Sequence, residues 1–243
     1  MKYQYQKLTP SPRPSNPSPL ELAIHRYEQE CAKFHNERNA TSPKNAKKNI
    51  ECQEAARQDW QHLKVLRRQI VARVYLQNQL SEYRASAQKA SDKGDLESLY
   101  NEEHHPTVRL ARNLTAIGEP KPTTNHEAHH IIPGKGRYRQ DELMNVRLNL
   151  HAYGYGINDP LNGVWLVNFK KHKQLNWEAP KSPGHREIHR YNYETWIISK
   201  FMLDTLPKEV FTNRLVDVKQ RLKNGSHPAQ ILTAKDTQWT NEQ

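Results

Sequence analysis

Cysteine is scarce in this chain: 243 residues hold two, Cys31 and Cys52. They form no CxxC pair and lie in polar, helix-like surroundings, which argues against a disulfide framework or a thiolate zinc site. A reducing cytoplasm is the simplest compartment for them. Long apolar runs are missing as well. No stretch of about 18 hydrophobic residues occurs, so no membrane span is expected. The first residues, MKYQYQKLTPSPRPSNPSPLEL, contain no apolar h-region, and a cleaved signal peptide is not expected. Export by a machine that reads folded cargo stays open. Hydrophobic residues reach only 35 % and mean hydropathy is −1.01. Much of the chain should therefore be solvated helix or tail rather than sheet buried on both faces. Acidic charge is the minority: 26 Asp and Glu stand against 37 Lys and Arg, for a net charge of +11. That excess, spread along both halves, suits a polyanion such as nucleic acid. A charge sum alone fits a soluble basic protein equally well.

Texture divides the chain near residue 105. Residues 1–18, rich in proline and serine, read as a disordered or extended arm. Ser18-Pro19-Leu20-Glu21 then forms a capping box, with Pro at the first helical position. Ile24, Tyr27, Cys31 and Phe34 follow as one stripe of an amphipathic helix. NATSPKN breaks it near residue 41, and a second helix is expected from about Pro43 to Ala90. Trp60, Leu63, Leu66, Ile70, Val74 and Leu80 supply its core stripe, while Arg67, Arg68 and Arg73 face out. The two helices should pack as a hairpin. SDKGD ends the second, and a short helix fits residues 95–103. Beyond Pro106 come a short helix ended by Gly118 and Pro120, a strand at EAHHII, a helix followed by glycine-rich turns, and a strand at NGVWLV. Residues 185–204 are predicted as a helix with Trp196, Ile197 and Phe201 inward. Pro207 opens a last helix that Gly225 caps, and residues 226–243 form a weakly patterned tail. The predicted fold class is α+β, mostly helical.

Three pieces of sequence carry candidate chemistry. His129 and His130 sit on a strand, where consecutive side chains point to opposite faces. One imidazole can then bind a metal while the other addresses substrate. Asn162 directly precedes the second strand. His185 and His189, four apart at an expected helix start, can share one cation. The spacing excludes two familiar zinc protease motifs, because Arg186 and Ile188 stand where those motifs need a glutamate. His126, His151 and His172 read as polar surface groups, and Trp165 and Trp196 as core.

In this order, EAHHIIP, GIND-x-x-NGVWL and H-x-x-x-H-x-Y-N resemble the AHH family of the HNH/endonuclease VII superfamily. RLARNLTAIGEPKP resembles that family's lead-in helix. The likeness runs from about residue 106 to residue 225. It implies a ββα-metal nuclease domain behind an N-terminal helical region at 19–105, holding one divalent cation: zinc, magnesium or nickel. By the same resemblance His129, His185 and His189 are the metal ligands and His130 is the general base. Asn162 steadies the loop or orients that base, and Glu127 supports the site. His172 remains an alternative to His185 as ligand, because an insertion-like segment lies between them. Arg186, Arg190, Lys170, Lys171 and Lys173 are expected to neutralise substrate phosphates.

The resemblance further implies DNA as substrate, cut with little sequence preference, and an antibacterial toxin neutralised by a cognate immunity protein. Such a toxin would be made in the bacterial cytoplasm, secreted, for example by a type VI system, and active in the cytoplasm of the target cell. Residues 19–105 would then bind a secretion component or chaperone. Two other readings stay open. One is a nucleic-acid-binding protein with a structural metal, and the other is an RNase using the same site.

Overall fold

The computed structural model describes residues 7–40, 46–176 and 179–240. The break expected near residue 41 and the helix start near Pro43 lie outside them. The chain divides into two compact units, Met1–Leu76 and Gln77–Gln243. As the composition implies, helix dominates, and the sheet has two strands.

In the first unit, residues 7–18 form no regular element. Asn36 pins this segment, since its side-chain amide accepts from and donates to the Leu8 backbone at 2.9 Å each. Helix α1 (Pro19–Ala40) starts at the expected capping box. The Ser18 N–H donates to Glu21 Oε2 at 2.7 Å, and the Glu21 N–H to Ser18 Oγ at 3.3 Å. Helix α2 (Ala46–Asp92) follows. Phe34 of α1 stacks on Trp60 of α2, with ring centroids 6.2 Å apart, so the hairpin forms. The expected α2 stripe holds only in part. Leu63 and Leu80 are buried, but Trp60 is 50 % and Val74 38 % exposed. Length explains Val74: at 1.5 Å per residue, α1 covers about half of a helix about 70 Å long, whereas Trp60 meets Phe34 and keeps half its surface in solvent.

The second unit begins within α2 and continues through α3 (Leu96–Tyr100), α4 (Val108–Ala116) and strand β1 (His126–His130). Helix α5 (Gln140–Ala152), strand β2 (Gly163–Val167), α6 (Tyr191–Phe201) and α7 (Lys208–Asn224) complete it. The strands pair antiparallel, His129 opposite Val164 and His130 opposite Gly163. Apolar spacing explains the packing. Leu143, Val146 and Leu150 of α5, and Phe211, Leu215, Val218 and Leu222 of α7, recur at helical intervals. They meet Trp196, Ile197 and Phe201 of α6 in one core with Ile131 and Ile132. Leu110 and Leu114 of α4 back the hairpin through Ala128. Gly163 permits that approach, since a Cβ there would lie 2.6 Å from Leu110 Cδ1.

Two expectations about this unit need correcting. Helix α6 begins at Tyr191, not at residue 185, because Arg190 is extended (φ −133°, ψ 160°). His185 lies instead in a single 3-10 turn, His185–Glu187. The C-terminal stretch also joins the core. Ile231 is fully buried, and the Asn192 amide donates to the Gln230 and Ala234 carbonyls while accepting from the Asp236 N–H. Asn192 ends the H-x-Y-N stretch, so one of its side chains acts as a clip for the tail.

Candidate metal centre and its cleft

Alternation along β1 separates the two adjacent histidines. His129 turns to His185 and His189, whose ring centroids lie 5.0 and 5.3 Å from its own. Among the described residues these three form a group whose ligand atoms all lie within 4.8 Å of one another. His185 and His189 meet without a helix, their rings 4.6 Å apart across the 3-10 turn. His172 stays outside the group and hydrogen-bonds Asn168 Oδ1 at 2.6 Å.

Hydrogen bonds assign the ring nitrogens. Tyr193 donates its hydroxyl proton to the Ile131 carbonyl at 2.8 Å, so its oxygen accepts from Nε2–H of His129 at 3.0 Å. The lone pair of His129 is thereby left on Nδ1. Glu127, two residues before His129 and on the same strand face, accepts from His185 Nδ1–H at 2.6 Å, leaving Nε2 free. Such outer partners are what a ligating imidazole needs to present one defined nitrogen. Burial pushes His129 well below its ordinary range, and the neighbouring His185 and His189 push it further. Burial also lowers His185, against the opposing pull of Glu127. All three rings therefore offer neutral lone pairs, the form that binds a cation. The donor set fits a divalent metal ion.

His130 faces elsewhere. Its Nε2–H donates to Asn158 Oδ1 at 3.1 Å. That oxygen is fixed because Asn158 Nδ2 donates to Glu102 Oε1 at 2.8 Å and to the Glu103 carbonyl at 3.0 Å. Tyr83 in turn donates to Glu102 Oε2 at 2.9 Å. The free lone pair of His130 is therefore on Nδ1. Burial drives the ring down to about 3, against the Asn158 hydrogen bond, with His104 and His105 adding to the fall. The ring is neutral near pH 7.

Asn162 holds the loop rather than the base. Fully buried, it accepts from the Ile132 N–H at 2.7 Å and donates to the Ile132 and Ile157 carbonyls. It thereby ties the end of β1 to the turn before β2. Two histidines expected at the surface are core instead. His126 bridges Thr123 and Asn176, and His151 bridges Arg147 and the Tyr155 carbonyl. Each is buried because both ring nitrogens find partners there, which composition cannot show. Trp196 is fully buried and Trp165 partly so.

A cleft of about 310 Å³ opens over these groups, lined by His129, His130, His185 and His189 together with His104 and His105. Residues 110–233 match the family model of AHH, a nuclease family of the HNH/ENDO VII superfamily with a conserved AHH. The chain belongs to the AHH nuclease family. Its AHH is Ala128-His129-His130, the residues that split between the cation group and the Asn158-held ring. No curated protein and no solved structure matches the chain.

The cations of this AHH nuclease are distributed differently from the sequence expectation. Of the five expected, Arg190 lines the cleft, though its guanidinium also donates to the Glu187 and Thr233 carbonyls. Arg186 and Lys171 lie over the Phe169 ring, and Lys173 pairs with Glu187 at 3.3 Å. Lys170 is exposed on the same segment. The cleft gains two others, Lys135 and Arg137. Their loop is locked by Glu194, whose carboxylate accepts from the N–H groups of Arg137, Tyr138 and Arg139 at 2.6, 2.9 and 2.7 Å. The signal was present in GKGR, a lysine and an arginine alternating with glycines shortly after the histidine strand. Asn158, Tyr193 and Glu102 were also missed, since partners 28, 64 and 56 positions away leave no local pattern.

Proposed function

We propose that this AHH nuclease is a metal-dependent endonuclease that hydrolyses DNA with little sequence preference and serves as an antibacterial toxin. The observation that carries the chemistry is the division of labour on β1: a three-imidazole cation group beside a separately anchored neutral histidine. His129 through Nδ1, His185 through Nε2 and His189 would hold one divalent ion at the cleft. That ion, when bound, neutralises charge on the phosphate and on the leaving oxygen. His130 takes a proton from water at Nδ1 while Asn158 keeps its Nε2–H in place. The water oxygen bonds to phosphorus, the bond from phosphorus to the sugar oxygen breaks, and that oxygen leaves with a proton from solvent. A phosphate drawn into the cleft raises His130 from its depressed value toward the range useful to a base. Glu127 and Asn162 position; they do not react.

Lys135, Arg137 and Arg190 support a backbone-directed contact, because cations read phosphates without reading bases. The toxin reading rests on family resemblance and on the separate helical unit before the nuclease. In that unit α2 exposes Trp60, Val65 and Val71, which suits docking of a secretion component or chaperone. A cognate immunity protein would cover the cleft.

The test is cleavage of plasmid and of matched RNA across a panel of zinc, magnesium and nickel, comparing wild type with His130→Ala. The variant is expected to lose about a thousandfold in rate, with metal content unchanged. Equal cleavage by the variant would remove His130 from the mechanism, and faster cleavage of RNA would move the substrate class.

A further inference from the structure

A second histidine pair, His104-His105, reaches the cleft from the link between α3 and α4, outside the residues that match the family. The two rings lie 4.7 Å apart. Each stands edge-on to His130, with centroids at 6.0 and 6.1 Å. The pair is not there by default. His104 occupies space that a side chain at residue 134 would fill, since a Cβ on Gly134 would lie 2.2 Å from its ring. Gly134 lies four residues after the end of β1 at His130, so the chain leaves room near its own strand for an imidazole from elsewhere. His104 is thus packed in place and buttresses His105.

Two rings in the cleft are exposed and without a hydrogen bond among the described residues, His105 and His189, and only His189 belongs to the cation group. His105 lies outside it, so it is not a fourth ligand of that group. It shares the cleft wall with His129, His130, His185 and His189, and its ring centroid lies 6.1 Å from that of His130. An imidazole N–H with no protein partner, on the wall of a cleft that gathers cations and lone pairs, is a donor available to an anion.

We propose that His105 is a further catalytic residue, donating a hydrogen bond from its ring N–H to a non-bridging oxygen of the scissile phosphate. The contact strengthens as negative charge builds on that oxygen, so its effect falls mainly on kcat. This inference rests on the nuclease reading of the same cleft. It adds a residue that the family frame does not supply.

The experiment compares wild type, His105→Ala and His105→Gln in two measurements. In steady-state cleavage of plasmid with the best-supporting divalent ion, His105→Ala is expected to lose about a hundredfold in kcat. Its KM should rise by no more than about fivefold, and its metal content should match wild type. His105→Gln, which keeps an N–H donor, should recover part of the loss. In the second measurement a fluorescently labelled oligonucleotide is titrated by anisotropy in the presence of chelator, where nothing is cut. Here His105→Ala should weaken binding about fivefold, the value of one ordinary hydrogen bond. Unchanged kcat in a wild type that cleaves overturns the role of His105 and leaves the nuclease reading standing. A wild type that never cleaves but binds in a His105-dependent way overturns that reading and keeps the contact. A wild type that never cleaves, with unchanged binding by the variant, overturns both.

Discussion

Asn158 decides which nitrogen of His130 is free, and a base that presents the wrong nitrogen cannot take a proton. Its amide is itself oriented by Glu102 and by the Glu103 carbonyl. Asn158→Ala is therefore expected to lower kcat about tenfold to a hundredfold, with the three metal ligands untouched. Steady-state kinetics beside metal analysis would show it, and an unchanged kcat would remove Asn158 from the positioning role. His151 makes a separate point about pH. Burial pushes it down from 6.5 to about 4, against the Tyr155 carbonyl, and the Arg147 guanidinium adds to the fall. The ring is neutral when folded, so the unfolded chain binds the extra proton below pH 6.5. Stability is then full above 6.5 and declines as pH falls through 4, by about 3 kcal/mol at most. Thermal melts of wild type and His151→Gln between pH 4 and 8 should differ in slope inside that window. Parallel curves would show that His151 does not carry the effect.

At the scale of elements, short side-chain clips do what long regular structure does elsewhere. Two five-residue strands cannot hold a cleft alone. Asn162 closes the loops at one end of the hairpin, and α4 backs it through Leu110 and Leu114. Asn192 holds the tail so that Ile231 reaches the core. Asn192→Ala removes one acceptor and a shared donor from that tail, which costs about 1–3 kcal/mol. Residues 226–236 should then be cut early in limited proteolysis, read by mass spectrometry. A time course identical to wild type would mean that Ile231 anchors the tail unaided.

For the whole molecule, the question is whether the cation makes the fold or only the chemistry. The second unit has a continuous apolar core built from α5, α6 and α7 that does not include the imidazole group. Chelation is accordingly expected to abolish cleavage while far-ultraviolet circular dichroism keeps its helical signal. Unfolding free energy should fall only by the binding contribution, about 2.7 kcal/mol at a hundredfold excess of ion over Kd, and the melting temperature only correspondingly. Cooperative unfolding on chelation would favour a structural metal instead. No helix among the described residues is long and apolar enough to cross a membrane, and the net charge of +11 predicts cleavage that weakens steeply with salt.

What the sequence determined by itself is local. The capping box at Ser18, the strands around His129 and Val164, the helical spacing of α5 and α7 and the left-handed cap at Gly225 (φ 70°) are written in neighbouring residues. The order of AHH, Asn162 and His185/His189 was legible too, because it is a linear pattern. Tertiary structure alone decided the rest, since hydrogen-bond partners and burial depend on residues far apart in the chain. It started α6 at Tyr191, buried His126 and His151, and turned Trp60 partly to solvent. It placed Lys135, Arg137 and His105 in the cleft and gave His130 its partner. A neutral imidazole is a surface group or a catalytic one according to what meets its second nitrogen, and only the folded chain brings that group into reach.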